Sequence, residues 1–329
     1  AADVGNLLHG CLEVRESEQD SAGLGLRAAR DFARGDVIYR EKPLAFFQEA
    51  WSARAAPSCL NCGRLLGGSL LDLLLRARAA TGTGSDAEAP LPGVILDSGL
   101  LEREELALPA ILHCPRAGDD PPCDAAFCSE TCRDVQLTAG HHRLLCVALD
   151  AEKRRAWQAF RRYSEARYDT LGLAGLVIAQ AVSDVAFCGM DPQDAISRYS
   201  RFATMPWPEL LAARAADRET WRQLRWVVVR SACKQLRGVF ESLPPPLDDL
   251  LSEEGFAKLV GMLDLVTKDL ERPNPQDHRL RSVLEEMKAP PPLHTELGRL
   301  TLAWMTAKRL ASEAQEPNEP DSDDEEEPG

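Results

Sequence analysis

The chain has 329 residues, 44% of them hydrophobic and 27% charged, with a formal net charge of −14. That length and composition suit a globular protein of two or three domains and exclude a disordered or collagen-like chain. Nine acidic groups and no Lys or Arg fall in residues 313–329, so the remainder is only mildly acidic, and no basic stripe marks a nucleic-acid surface.

Residues 1–50 read as strands and tight turns: Gly23–Ala28 a short strand, Asp31–Asp36 a turn, Val37–Leu44 a second strand. Taken alone, Gly23-Leu24-Gly25 marks a bulge or tight bend. Leu65–Ala79 is helix-like, followed by a flexible Thr81–Ser85 loop and a second short helical stretch near Leu100–Leu112. After Cys146 the pattern turns helical. Trp157, Phe160, Ser164 and Tyr168 mark one helix, the apolar run Leu171–Val182 a second and Ala195–Phe202 a third. Trp221–Phe240 and Phe256–Leu265 continue the series around Pro244-Pro245-Pro246, and Leu293–Leu310 is a last helix. The apolar run from Leu171 is about a dozen residues, short of the roughly 20 that cross a bilayer, and reads as a buried helix. Residues 313–329, with Pro317, Pro320 and Pro328 among the acids, cannot bury apolar surface and form a solvated tail suited to a basic partner such as a histone.

The chemistry-bearing feature is the cysteine pattern. Seven of the ten cysteines lie between Cys59 and Cys146: Cys59-x2-Cys62, a 51-residue gap, then Cys114-x8-Cys123-x4-Cys128-x3-Cys132-x9-His142-x3-Cys146. With His142 these are eight soft ligands, enough for two closed tetrahedral zinc sites. Four protein ligands at each ion leave no position for a catalytic water, so no catalysis follows from the zinc itself. Cys11, Cys188 and Cys233 stand apart. With no apolar leader segment, this usage predicts a reduced, intracellular protein, cytoplasmic or nuclear, without a disulfide framework.

The order of these features resembles the SET and MYND domain family of protein-lysine methyltransferases, in which a zinc module interrupts the SET fold after its first strands. The likeness runs through Gly23–Pro43, Gln48–Trp51, Cys123–Cys146, Ala156–Ala159 and Arg198–Phe202 and thins after Phe256. It implies an α+β fold in four parts: residues 1–56 as the first part of an incomplete SET β-fold, 57–147 as a MYND-like two-zinc module with a long insert, 148–312 as a mainly helical insert region, and 313–329 as the acidic tail. It pairs the zinc ligands crosswise, Cys59, Cys62, Cys128 and Cys132 on one ion and Cys114, Cys123, His142 and Cys146 on the other, with His141 and His113 as substitutes. It also places the backbone of Gly23, Leu24 and Gly25 against S-adenosylmethionine.

Two departures stand out. The third and fourth cysteines are eight residues apart where the family has two. The family's Asn-His-Ser-Cys stretch and late catalytic tyrosine have no counterpart, since no Asn is followed by His and the last tyrosine is Tyr199. The resemblance therefore implies a methyltransferase relative whose catalytic half is absent from this sequence. It names no catalytic residue here, and it predicts no methyl transfer by the chain as given. The other expectation is a non-enzymatic adaptor whose zinc module docks proline-rich or other short peptides. Protein substrates, histones among them, are the implied partners, with no membrane and no direct nucleic-acid contact.

Overall fold

The computed structural model describes residues 11–16, 24–34, 36, 38, 45–48, 53, 56–81, 93–199, 202, 204–210, 218–266, 283 and 285–287. Gly23, the expected strand 37–44 apart from Ile38, the Thr81–Ser85 loop after Thr81, the expected helix 293–310 and the acidic tail lie outside them. Among the described residues the architecture is α+β, with two small antiparallel sheets and a large helical region. Strand β1 (Leu12–Glu16) pairs with β2 (Leu24–Ala28), from Leu12 opposite Ala28 to Glu16 opposite Leu24. The strand at Leu24–Ala28 thus pairs backwards along the chain. Its partner is short but alternates Leu12-Glu13-Val14-Arg15-Glu16, the period of a half-buried strand.

Helix α1 is Leu70–Thr81 and starts later than the apolar pattern from Leu65 suggests. Leu65 instead bridges Ser58, Leu66 is fully buried, and Gly68 at φ +77° turns the chain. A capping box then opens the helix. The Asp72 N–H donates to Ser69 Oγ at 3.2 Å and the Ser69 N–H to the Asp72 carboxylate at 3.1 Å, so each satisfies an end group that has no helical partner. The stretch at 100–112 is not one helix. A single turn, α2 (Gly93–Leu96), is followed by two 3-10 turns at Leu100–Glu102 and Glu104–Leu106, and Leu112–His113 is strand β3. Pro109 lacks the N–H that a continuous helix needs. This insert has a small core of its own, Leu70, Ile95, Leu100 and Leu106, closed by Val283 and Met287 from far along the chain.

Helix α3 (Glu130–Thr138) follows strand β4 (Ala126–Phe127), which pairs with β3. Beyond a π-helical turn at Arg143–Ala148, the helical region contains α4 (Ala151–Glu165), α5 (Asp169–Cys188), α6 (Pro192–Ser197), α7 (Arg218–Arg237), α8 (Pro245–Asp248) and α9 (Glu253–Val266). Aspartates mark the helix starts: Asp150 accepts from the Lys153 N–H, and Asp191 caps α6 just before Pro192. Gly189, at φ +65°, ends α5 in the left-handed conformation that such a stop requires. Helix α6 stops at Ser197, five residues before the end expected from the sequence, in a turn that bonds the Tyr199 N–H to the Ile196 carbonyl.

Trp157, Phe160, Leu171, Ile178, Trp207, Leu236 and Phe256 are central in the continuous core of this region. Helix α5 runs through its middle. At 20 residues it is long and apolar enough to cross a membrane by length and composition, but 67% of its apolar window is buried within the fold. An all-round apolar helix of that kind is what a core centre demands.

Candidate metal centres

The first cluster is built on a knuckle. The Cys59 N–H donates to the Arg64 carbonyl and the Gly63 N–H to the Cys59 carbonyl, both at 2.8 Å, with Gly63 at φ +66°. This tight turn aims Cys59 and Cys62 the same way. Cys128 follows β4, and Cys132 sits in the first turn of α3, where Ser129 Oγ accepts its N–H at 3.2 Å. The four sulfurs come together, with Cys62 to Cys128 at 3.7 Å and Cys128 to Cys132 at 3.5 Å.

The second cluster joins Cys114, just after β3, Cys123, His142 and Cys146 of the π-helical turn. The Cys114 and Cys146 sulfurs are 3.7 Å apart, and His142 Nε2 lies 3.4 Å from Cys114 and 3.7 Å from Cys123. Within each cluster all ligand atoms fall within 4.8 Å of one another. A tetrahedral zinc with Zn–S of about 2.3 Å and Zn–N of about 2.0 Å has S···S edges of about 3.8 Å and S···N edges of about 3.5 Å. The separations of 3.4–3.7 Å match those edges and are far from the roughly 2.05 Å of a disulfide. Donor types and spacing therefore fit two metal ions, each enclosed by four protein ligands.

The electrostatics agree. Hydrogen bonding from Cys123 pulls the Cys146 thiol down to about 4, while Cys123 itself goes far up, first through its hydrogen bond with Cys146 and then through burial. Burial lifts Cys128 to about 12, whereas Cys132 falls to about 7 against its burial because Asn61, Cys128 and Ser129 hydrogen-bond to it. Adjacent thiolates repel, so without a cation only some of each set can ionise. A dication removes that restriction and deprotonates all of them. The surroundings offset the remaining negative charge: Asn61 donates to Cys132 Sγ at 3.3 Å, the Arg116 N–H to Cys114 Sγ at 3.5 Å, and Arg116 Nη1 to the Cys146 carbonyl at 2.6 Å.

The expected crosswise sets are thus the sets that the fold brings together. His141 is buried but contributes to neither cluster. Its backbone N–H donates to Gln180 at 3.1 Å, and burial, followed by the neighbouring His142, brings its imidazole down to about 4. His113 is exposed on β3. Leu24 and Gly25 lie within β2, opposite Glu16 and Arg15.

The eight-residue spacing between Cys114 and Cys123 has a structural purpose that the sequence did not signal. Residues 115–122 fold into a compact loop, closed by the Cys123 N–H on the Arg116 carbonyl at 3.1 Å and by the Arg116–Asp119 ion pair at 2.7 Å. One face of α4 grips this loop. Arg155 pairs with Asp120 at 3.0 Å, Gln158 donates to the Pro122 carbonyl at 3.0 Å, and Arg161 pairs with Asp124 at 3.3 Å. The loop therefore ties the second cluster to the helical region. Beneath it, between the metal module and α4, lies a cavity of about 300 Å³.

No family profile, curated protein or solved structure matches this chain.

Proposed function

We propose that this chain is a non-catalytic, zinc-stapled adaptor. Its two-metal module presents a fixed surface to short peptides, proline-rich ones among them, while the acidic residues 313–329 attract basic partners such as histones. One observation carries the reading: each cluster gathers four protein donors whose ligand atoms all lie within 4.8 Å of one another, several pairs of them at 3.4–3.7 Å. An ion so enclosed has no open position for a water or substrate and contributes stability and shape. Cobalt(II) substitution tests this. A closed Cys/His site should give the intense visible bands of tetrahedral thiolate cobalt, unchanged by added azide or cyanide; a spectrum that shifts with azide would reveal an open coordination position and overturn the non-catalytic assignment.

A second reading, an S-adenosylmethionine-dependent protein-lysine methyltransferase of the SET and MYND domain type, draws support from the element order: a glycine-containing strand pair, a two-cluster module, then helices. It requires a cofactor wall and a catalytic tyrosine beyond what Gly23, Leu24 and Gly25 supply. Calorimetry with S-adenosylmethionine separates the readings, because micromolar binding would favour the enzyme.

A further inference from the structure

We propose that the first cluster is an oxidative modification site: a peroxide joins Cys128 to a neighbouring cysteine as a disulfide and expels that cluster's metal, while the second cluster keeps its own. The two clusters differ in exposure. In the second, Cys114, His142 and Cys146 are 2%, 6% and 5% exposed, and the half-buried Cys123 closes the loop that α4 grips. In the first, only Cys59 is buried, whereas Cys62, Cys128 and Cys132 are half-buried. The three residues after Cys128, Ser129, Glu130 and Thr131, are all exposed. Oxidants select cysteines by thiolate character and by access, so three sulfurs of the first cluster are open to attack against one of the second.

Charge points the same way. Four thiolates around a dication leave the first site at −2, whereas three thiolates and a neutral imidazole leave the second at −1. The second is further compensated by Arg116, through its N–H on Cys114 Sγ at 3.5 Å and its guanidinium on the Cys146 carbonyl at 2.6 Å. In the first, Asn61 donates to Cys132 Sγ at 3.3 Å, while Cys128 meets the Ser129 hydroxyl only at 3.9 Å. Cys128 therefore keeps more of its nucleophilic electron density than Cys132. Its sulfur lies 3.5 Å from Cys132 and 3.7 Å from Cys62, so a second thiolate is already in place. The Cys128 sulfur attacks one peroxide oxygen, the O–O bond breaks, hydroxide leaves and a sulfenic acid forms. The thiolate of Cys132 or Cys62 then attacks that sulfur, the S–S bond forms and a second hydroxide leaves. The sulfurs give up the two electrons that the peroxide gains, and solvent protons turn both hydroxides into water. Two of the four ligands are then lost and the metal dissociates. The Cys59–Cys62 knuckle and the first turn of α3 come apart, whereas the second cluster stays tied to α4 through Asp120 and Pro122.

The inference rests on both clusters holding zinc and not on what the module binds. The test uses the full, zinc-loaded chain in thiol-free buffer, titrated with hydrogen peroxide while a chromophoric chelator reports released zinc. One zinc per chain should leave first, with the second still bound. Peptide mapping without reduction should then show a disulfide joining Cys128 to Cys132 or Cys62, with Cys114, Cys123 and Cys146 still alkylated as free thiols. Dithiothreitol and added zinc should restore the original metal content, as a reversible disulfide requires. His142→Ala, left with the first metal alone, should release that metal at the rate of the wild-type first phase. Release of both metals together, a first disulfide at Cys123 or Cys146, loss of zinc without a disulfide at Cys128, or failure of the reductant to restore it would overturn the proposal. Fewer than two zinc ions before any peroxide is added would overturn the metal centres themselves, and this site with them.

Discussion

At the residue scale the choice between His141 and His142 is the sharpest test of the metal centres. His142 Nε2 lies 3.4 Å from Cys114 Sγ, whereas His141, its neighbour, belongs to neither ligand set. His142→Ala should therefore leave one metal per chain by elemental analysis, and His141→Ala should leave two. The reverse result would shift the ligand register by one. This much was legible in the sequence, because His-x3-Cys places two ligands on one face of a single helical turn. The supporting groups were not. Asn61 reaches Cys132 across 71 residues and Arg116 reaches the Cys146 carbonyl across 30, and no local pattern encodes such contacts. The long Cys114–Cys123 spacing was visible, but its meaning depends on Arg155, Gln158 and Arg161, which occupy one face of α4 at spacings that any amphipathic helix shows.

At the scale of elements, the sequence was most readable where strong caps bound a long periodic stretch. The helix around Leu171–Val182 extends to Asp169–Cys188, with Gly189 as its stop. It was least readable at 100–112, where apolar spacing suggested a helix and Pro109 prevented one, and at Leu12–Glu16, too short to distinguish from loop until Leu24–Ala28 pairs with it. Helix packing adds a constraint that periodicity cannot show. Gly261 sits inside α9, a position where glycine ordinarily weakens a helix. A Cβ there would collide with the Met205 carbonyl oxygen and come within 2.9 Å of the Trp207 N–H. These are backbone atoms and cannot rotate away. Gly261→Ala should lower stability by about 1–3 kcal/mol, the cost of overpacking, despite alanine's better helix propensity. Gly118→Ala, where nothing lies within 4 Å, should change stability by less than about 0.5 kcal/mol. Denaturant titration of the two variants checks the difference, and a neutral or stabilising Gly261→Ala would mean that α9 does not approach the Trp207 turn as closely as described.

For the whole molecule, the two halves are stabilised by different means. Among the described residues, the buried core around the clusters comprises, apart from the cysteines, Leu66, Ala126 and Phe127, and the insert adds the separate small cluster of Leu70, Ile95, Leu100 and Leu106, little apolar surface to fold a segment of that length. The helical region has a continuous core from Trp157 to Leu263 and needs no metal to hold it. Structural zinc contributes roughly 10–16 kcal/mol at neutral pH, against a typical domain stability of about 5–15 kcal/mol, so removing it should exceed anything the module can retain. Competing protons act in the same direction, since the thiolate ligands must lose their protons to bind and regain them as pH falls. A strong chelator should release two zinc ions per chain and strip hydrogen-exchange protection from residues 57–147, while amides of α5, α7 and α9 keep theirs. The seam limits how independent the halves are: Arg155, Gln158 and Arg161 lose their loop partners when the second cluster opens. Those contacts are exposed or half-exposed, worth about 0–1 kcal/mol for each ion pair, so their loss should loosen the exposed face of α4 and leave Trp157 and Phe160 buried. Hydrogen exchange read by mass spectrometry, before and after chelation, decides the matter. Simultaneous loss of protection in α5 and α9 would show that metal module and helices unfold as one unit, and that the loop between Cys114 and Cys123 couples them far more strongly than its surface ion pairs account for.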